Sequence, residues 1–217
     1  LNIFGPKGIK EIITSLMKVG KTWTNYKLNF IELNSIKSQD ILNKNNFIVS
    51  TIPLYHGIYT NGFLFRKKTT SHKLIVKKAI DLGIDKTQFS GIKLGEDGVT
   101  SKGEIIKNTK LVEPLKPDII YAFCSDTLFN LKITEQISEC DLLYHESTFL
   151  KKDENFAVKT FHSTAEQAAI IAKNSNVKKL ILGHFSSRYN DLDLFLNEAK
   201  TVFENCELAI ENKSFIF

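Results

Sequence analysis

Asp-Ile-Ile-Tyr-Ala-Phe-Cys-Ser-Asp-Thr at residues 118–127 and Asp-Leu-Leu-Tyr-His-Glu-Ser-Thr at 141–148 decide how this chain folds. Each opens on an aspartate, runs on through apolar residues and closes on small polar or titratable groups. That is the pattern of a buried strand that delivers reactive side chains to its carboxyl end. A third apolar run, 177–182, closes on Gly183-His184. Between the first two runs the spacing predicts a helix over 128–137. Ser163-x-x-Glu166 reads as a capping box that opens a helix through Ala168, Ile171 and Ala172. A last helix is expected over 192–203, followed by short strands around 208–210 and 214–217. Strand–helix alternation of this kind implies α/β layering.

Upstream the rhythm is looser. Gly5-Pro6 reads as a turn, and Ile9, Ile12, Ile13, Leu16 and Met17 recur at helical spacing, which predicts a helix over 6–19 ending near Gly20. Residues 26–33, 47–54 and 60–65 read as strands, with Pro53 marking a strand end. The stretch 66–110 differs: it is rich in Lys, Gly, Thr and Asp, carries one short helix over 75–82, and is punctuated by Gly91, Gly95, Gly98 and Gly103. Most connections run about 4–6 residues, so this stretch is expected to form an inserted arm.

The chain has 217 residues, 42% hydrophobic and 24% charged, enough for one sizeable core. No apolar run approaches the roughly 18 residues that span a bilayer, so no membrane partner is expected. The opening Leu-Asn-Ile-Phe-Gly-Pro has no secretory signal character, and the missing initiator Met points to a chain that starts inside a larger protein. Cys124, Cys140 and Cys206 are odd in number and widely spaced, which fits a reducing, cytoplasmic setting. Cys140 and Cys206 read as small buried hydrophobes. A net charge of +5 permits a polyanionic partner without requiring one.

Four of the five histidines stand where apparent strands end or turns begin: His56 in Pro-Leu-Tyr-His-Gly, His145 in Tyr-His-Glu-Ser-Thr, His162 in Phe-His-Ser-Thr and His184 in Gly-His-Phe-Ser-Ser-Arg-Tyr. Asp126 joins them. Imidazole and carboxylate are the ligands zinc prefers, and in paired-metal sites a carboxylate often bridges ions roughly 3.5–4 Å apart. His72, in a basic polar stretch, reads as a surface residue.

The ordered series Ile-Phe-Gly-Pro-Lys-Gly-Ile-Lys-Glu (3–11), Pro-Leu-Tyr-His-Gly-Ile (53–58), Ser-Asp-Thr (125–127), His-Glu-Ser-Thr (145–148), His-Ser-Thr (162–164) and His-Phe-Ser-Ser-Arg-Tyr (184–189) resembles the ribonuclease Z family, tRNA 3′-processing endonucleases of the metallo-β-lactamase fold. The resemblance covers essentially all 217 residues, read as one partial metallo-β-lactamase domain, most loosely in the arm. It implies an αββα sandwich, two zinc ions per complete subunit, no organic cofactor and a homodimer. It implies further that His56, Asp126 and His184 bind metal, with Asp126 bridging. His162 would touch the scissile phosphate or protonate the leaving oxygen, and Glu146 would orient it. The implied reaction removes the 3′ trailer of a tRNA precursor through attack by metal-activated hydroxide after the discriminator base. The stretch 66–110 would be the arm that grips the tRNA elbow, through candidates Lys73, Lys77, Lys78, Lys86 and Lys93, and Arg188 would meet a phosphate near the metals or pair with a carboxylate.

The family's His-x-His-x-Asp-His motif, which supplies the remaining zinc ligands, occurs nowhere in these residues. The chain therefore looks like the carboxyl-terminal two-thirds of the enzyme, without its first strands and inactive alone. Ser125 and Phe161 stand where the family often has Gly, and Lys-Thr-Gln-Phe-Ser-Gly at 86–91 replaces a Gly-Pro-rich arm tip. The rival readings are another phosphodiesterase of the same fold and an inactive binding or dimerisation module.

Overall fold

The computed structural model describes residues 1–216. In chain order the elements are β1 (Asn2–Pro6), α1 (Ile9–Val19), β2 (Asn29–Leu33), β3 (Asp40–Lys44), β4 (Phe47–Pro53), β5 (Asn61–Lys67), α2 (Val76–Asp81), α3 (Phe89–Lys93), β6 (Gly98–Val99), β7 (Ile105–Ile106), β8 (Ile119–Cys124), β9 (Leu142–Glu146), α4 (Glu154–Thr160), α5 (Ala165–Asn174), β10 (Leu180–Gly183), α6 (Asp193–Lys200) and β11 (Cys206–Leu208). Seven strands form the main sheet in the order β11-β10-β9-β8-β5-β4-β3, while β1 pairs with β2 and β6 with β7. Strands β8 to β11 are parallel neighbours, with helices in the crossovers from β9 to β10 and from β10 to β11.

The chain divides into two compact units. The first comprises Leu1–Ile41, Val49–Leu64 and Tyr121–Phe217. Its core gathers Ile52, Ala122, Leu143, Leu180, Leu182 and Phe195, with α5 packed on β9 and β10 and α6 on β11. The second comprises Leu42–Ile48 and Phe65–Ile120. It has a small core of its own: Leu74, Ala79, Ile84, Ile92, Leu111 and Val112, closed by Phe89 and Ile106. The hairpin of β6 and β7 lies within it.

Several expectations shift. Residues 128–137 form no α-helix: Asn130 accepts the Lys132 N–H and starts a tight 3-10 turn at Leu131–Ile133. The capping box is displaced by one residue, Thr164 with Gln167 in place of Ser163 with Glu166, because the Ser163 hydroxyl is committed to the Thr127 carbonyl. Pro6 closes strand β1, which the sequence reading missed along with β3, and α1 starts at Ile9. Residues 214–216 form no strand, and Phe217 lies outside the described residues. His72 is half-buried against the Glu113 carbonyl, not a free surface residue.

Gly62 sits in β5 against β8, where a Cβ would press into the Phe123 carbonyl oxygen and lie 3.4 Å from the Cys124 Cα. Gly62→Ala should therefore destabilise the protein by about 1–3 kcal/mol. Thermal unfolding should show it as a drop of roughly 2–4 °C per kcal/mol. An unchanged midpoint would mean that the two strands part without cost.

Candidate metal and phosphate centre

Strand register brings the site together. Cys124 pairs with His145, and Glu146 with Gly183, so β8, β9 and β10 end level with one another. Asp126, the segment after Glu146, and His184 therefore converge at one edge, where open α/β sheets bind their ligands. Asp126 and His184 both take left-handed backbone, φ 55 and φ 60. Such strain persists where surrounding structure imposes it, and it clusters at functional sites. Phe161 is left-handed too, φ 59, and ends α4 with the His162 N–H donating to the Ala157 carbonyl. A glycine adopts that ending at no cost. Here a phenylalanine does so, and its ring packs edge-on against His56.

Glu146 is the hub. It is 0% exposed. Its Oε1 accepts from the Thr127 N–H (2.8 Å) and from His162 Nδ1 (2.8 Å). Its Oε2 accepts from the Thr148 N–H (3.1 Å), the Thr148 hydroxyl (2.7 Å) and the Ser163 N–H (3.1 Å). Burial alone would push this carboxyl up, but the hydrogen bonds from His162, Thr148 and Ser163 outweigh it and hold the group below the usual range. Its partner moves the other way: the hydrogen bond to Glu146 raises the His162 imidazole against the opposing effect of burial.

The same network fixes which ring nitrogens face the site. An ionised Glu146 only accepts, so the single Thr148 hydroxyl proton goes to it. Thr148 must then accept from His184 Nδ1, 2.9 Å away. In a neutral ring the lone pair is then on His184 Nε2, which lies 3.1 Å from Asp126 Oδ1. Two lone pairs so close repel unless a proton or a metal cation lies between them. His56 Nδ1 donates to the Phe161 carbonyl at 2.9 Å, which leaves its Nε2 free as well. A metal-ligating histidine characteristically donates its second nitrogen to a protein acceptor, so the donor set fits a bound cation. Coordinating atoms of Asp126, His162 and His184 lie within 4.8 Å of one another. The three rings form a row, His56 to His162 at 5.1 Å and His162 to His184 at 5.2 Å.

His145 is no part of this. Strand alternation turns it to the face opposite Glu146, where it is 1% exposed and bonded to the Glu146 carbonyl. Burial lowers its pKa, so it sits neutral in the core. Arg188 pairs with no carboxylate among the described residues. Its guanidinium lies between the rings of Phe149 (4.8 Å) and Phe156 (4.9 Å), with Nε donating to the Ser186 hydroxyl. Stacked there, it keeps its outer N–H groups for an anion. In the second unit Lys73 pairs with Glu113 at 2.7 Å, while Lys77 and Lys78 are exposed on α2. All three cysteines are buried and free, their thiols pushed up by burial, Cys206 to about 11.

Thr127 and Thr148 went unassigned in the sequence and Ser163 was read only as a helix cap, although all three stand inside the motifs. The only signal was their recurrence as a hydroxyl residue one or two positions after the acid or histidine.

No protein-family model matches the chain. A ribonuclease Z of Bacteroides fragilis (strain YCH46) is 40% identical over 212 residues, which take in 98% of this chain and 70% of that one. Among solved structures, the short form of human tRNase Z matches with a TM-score of 0.58 at 20% identity, over 96% of this chain and 64% of that one. A metallo-beta-lactamase fold protein of Bacillus subtilis matches with a TM-score of 0.58 at 15% identity, over 96% and 62%. The chain thus spans less than two thirds of either solved chain, and at these identities the likeness speaks for the fold.

Proposed function

Since the chain belongs to the ribonuclease Z family and has its metallo-β-lactamase fold, we propose that it is a tRNA-processing endoribonuclease that removes the 3′ trailer of tRNA precursors. The observation that carries the reading is the tie of His56, His162 and His184 at Nδ1, beside a cluster in which ligand atoms of Asp126, His162 and His184 lie within 4.8 Å of one another. His56, Asp126 and His184 hold zinc in this proposal. Zinc, when bound, supplies Lewis acidity and an activated water. His162, whose pKa the hydrogen bond to Glu146 raises, stabilises charge on the phosphate or gives its proton to the leaving oxygen. Arg188 meets an adjacent phosphate. The protein works as a cytoplasmic homodimer. No described helix is long and apolar enough to cross a membrane.

Three proposed donors serve one zinc better than two. The chain alone is therefore expected to cleave poorly, and a version that also carries a His-x-His-x-Asp-His segment at its amino end should hold about two zincs and cut after the discriminator base. If neither version binds metal or cuts a precursor, the chain is a binding module instead. His162→Ala in the cutting version should keep its zinc yet slow cleavage by about 10²-fold. Loss of zinc with the activity would make His162 a ligand.

Residues 66–110 hold eleven Lys and Arg against five Asp and Glu, a local +6 beside +5 for the whole chain. That concentration of charge supports the arm as the tRNA-binding element. Lys77→Ala with Lys78→Ala should weaken precursor binding and flatten its dependence on log salt by about one unit per lysine. An unaltered slope would place the phosphate contacts elsewhere.

A further inference from the structure

A cavity of about 730 Å³ in the first unit opens beside His56. Its wall includes Tyr55, the residue before that histidine, and the floor includes Leu54 and Ile133. Lys37 and Lys132 stand in its lining, and no carboxylate does. Neither lysine forms an ion pair among the described residues. The side chains of Asn61, Asn130 and Gln136 add amide donors and acceptors. A cavity of this size, part apolar, part polar and cationic, suits a compact anionic ligand with a flat face.

The wall is rigid and tied to the proposed metal centre. The Tyr55 N–H donates to the Thr127 hydroxyl at 3.2 Å, and the Leu128 N–H donates to the Tyr55 carbonyl at 2.8 Å. The Tyr55 loop is thereby clipped to the loop that carries Asp126. One side of the Tyr55 ring packs on Phe161, centroids 5.9 Å apart, while the residue stays 56% exposed. An aromatic ring held this way is a stacking platform. At the far side the Asn61 amide donates to the Tyr59 hydroxyl, which donates to the Ser35 carbonyl.

We propose that this cavity is a nucleotide subsite: it holds one unpaired nucleotide next to the cleaved phosphate, its base against Tyr55 and its phosphate between Lys37 and Lys132. The subsite rests on the endoribonuclease reading and adds what that reading lacks, a means of requiring single-stranded RNA at the cut. A base in a duplex keeps its faces stacked on neighbours and cannot enter. An unpaired one pays little to leave its neighbours and gains the tyrosine face.

The test is fluorescence anisotropy with a labelled, 5′-phosphorylated RNA tetranucleotide on the 217-residue chain, with chelator present so that metal plays no part. Tyr55→Ala should weaken binding about tenfold. Lys37→Ala with Lys132→Ala should weaken it comparably and flatten the salt dependence by about one unit per lysine. Competition by inorganic phosphate should survive Tyr55→Ala and fail in the lysine pair. No binding by the parent chain, or variants that bind as the parent does, would overturn the subsite. Precursor cleavage by the version with the added amino-terminal segment, run in parallel, separates the two claims. Tetranucleotide binding through these residues without any precursor cleavage keeps the subsite and sinks the endoribonuclease reading. Cleavage with tetranucleotide binding indifferent to Tyr55 does the reverse.

Discussion

Glu146→Ala is expected to cost the fold about 3–5 kcal/mol, the range for removing one member of a buried charged network. The carboxylate is fully buried and accepts five hydrogen bonds, three of them from the backbone N–H groups of Thr127, Thr148 and Ser163. Alanine would leave all three donors buried without a partner, each at roughly 1–3 kcal/mol before relaxation. A domain has about 5–15 kcal/mol in total, so thermal unfolding should shift by on the order of 10 °C. A loss under about 1 kcal/mol would mean that water replaces the carboxylate without difficulty.

Glu146→Gln separates the structural role from the functional one. It preserves volume, but its NH₂ group must face either the Thr127 and His162 donors or the Thr148 and Ser163 donors. With the NH₂ toward Thr148, the Thr148 hydroxyl becomes free to donate to His184 Nδ1, which moves the ring proton to Nε2. The expected result is a milder loss of stability with a 10–100-fold loss of zinc affinity, although Glu146 touches no metal. In metal-free protein the carboxylate also sets an acid limb. Its folded-state pKa is held down by its donors. Its stabilisation is therefore complete above the unfolded value of about 4.3 and is lost as pH falls through the lower folded value. For His162 the sign reverses: its folded-state pKa is raised. That contribution is complete below about 6.5 and is lost as pH rises through the folded value.

The legible part of this molecule was the part governed by local pattern. The runs ending at Cys124, Glu146 and Gly183 are strands because apolar residues that short, closed by polar ones, have few other ways to be buried. Register then brought Asp126, Glu146 and His184 to one edge of the sheet, a geometry the sequence alone did not give. Tertiary competition was not legible. Ser163 has the form of a helix cap, yet the Thr127 carbonyl claims its hydroxyl and the cap passes to Thr164. His145 and Glu146 are adjacent and equally polar, and only the alternation of β9 decides that one enters the core and the other the site. The row of residues 128–137 has helical spacing, but the Asn130 cap tightens the backbone into 3-10 geometry first.

His184→Ala should lower zinc affinity by at least about 100-fold, more than the 10–100-fold typical of losing a partner outside the coordination shell. The reason lies in what surrounds it. Its Nδ1 is spoken for by Thr148, its Nε2 is aimed at Asp126 Oδ1 from 3.1 Å, and its backbone is held at φ 60 to keep that aim. Alanine removes one of the three groups whose ligand atoms lie within 4.8 Å of one another, leaving only Asp126 and His162 there. Thr148→Val is the companion measurement, because it keeps both shape and imidazole while freeing the ring to change tautomer. It should fall in the 10–100-fold range. Competition titration against a chelator dye gives both numbers on the same protein. Zinc affinity unchanged in His184→Ala would remove the histidine from the ligand set. Affinity lost in His184→Ala but kept in Thr148→Val would show that the ring is positioned by its backbone and Asp126 alone, and that the hydroxyl relay from Glu146 does not set its tautomer.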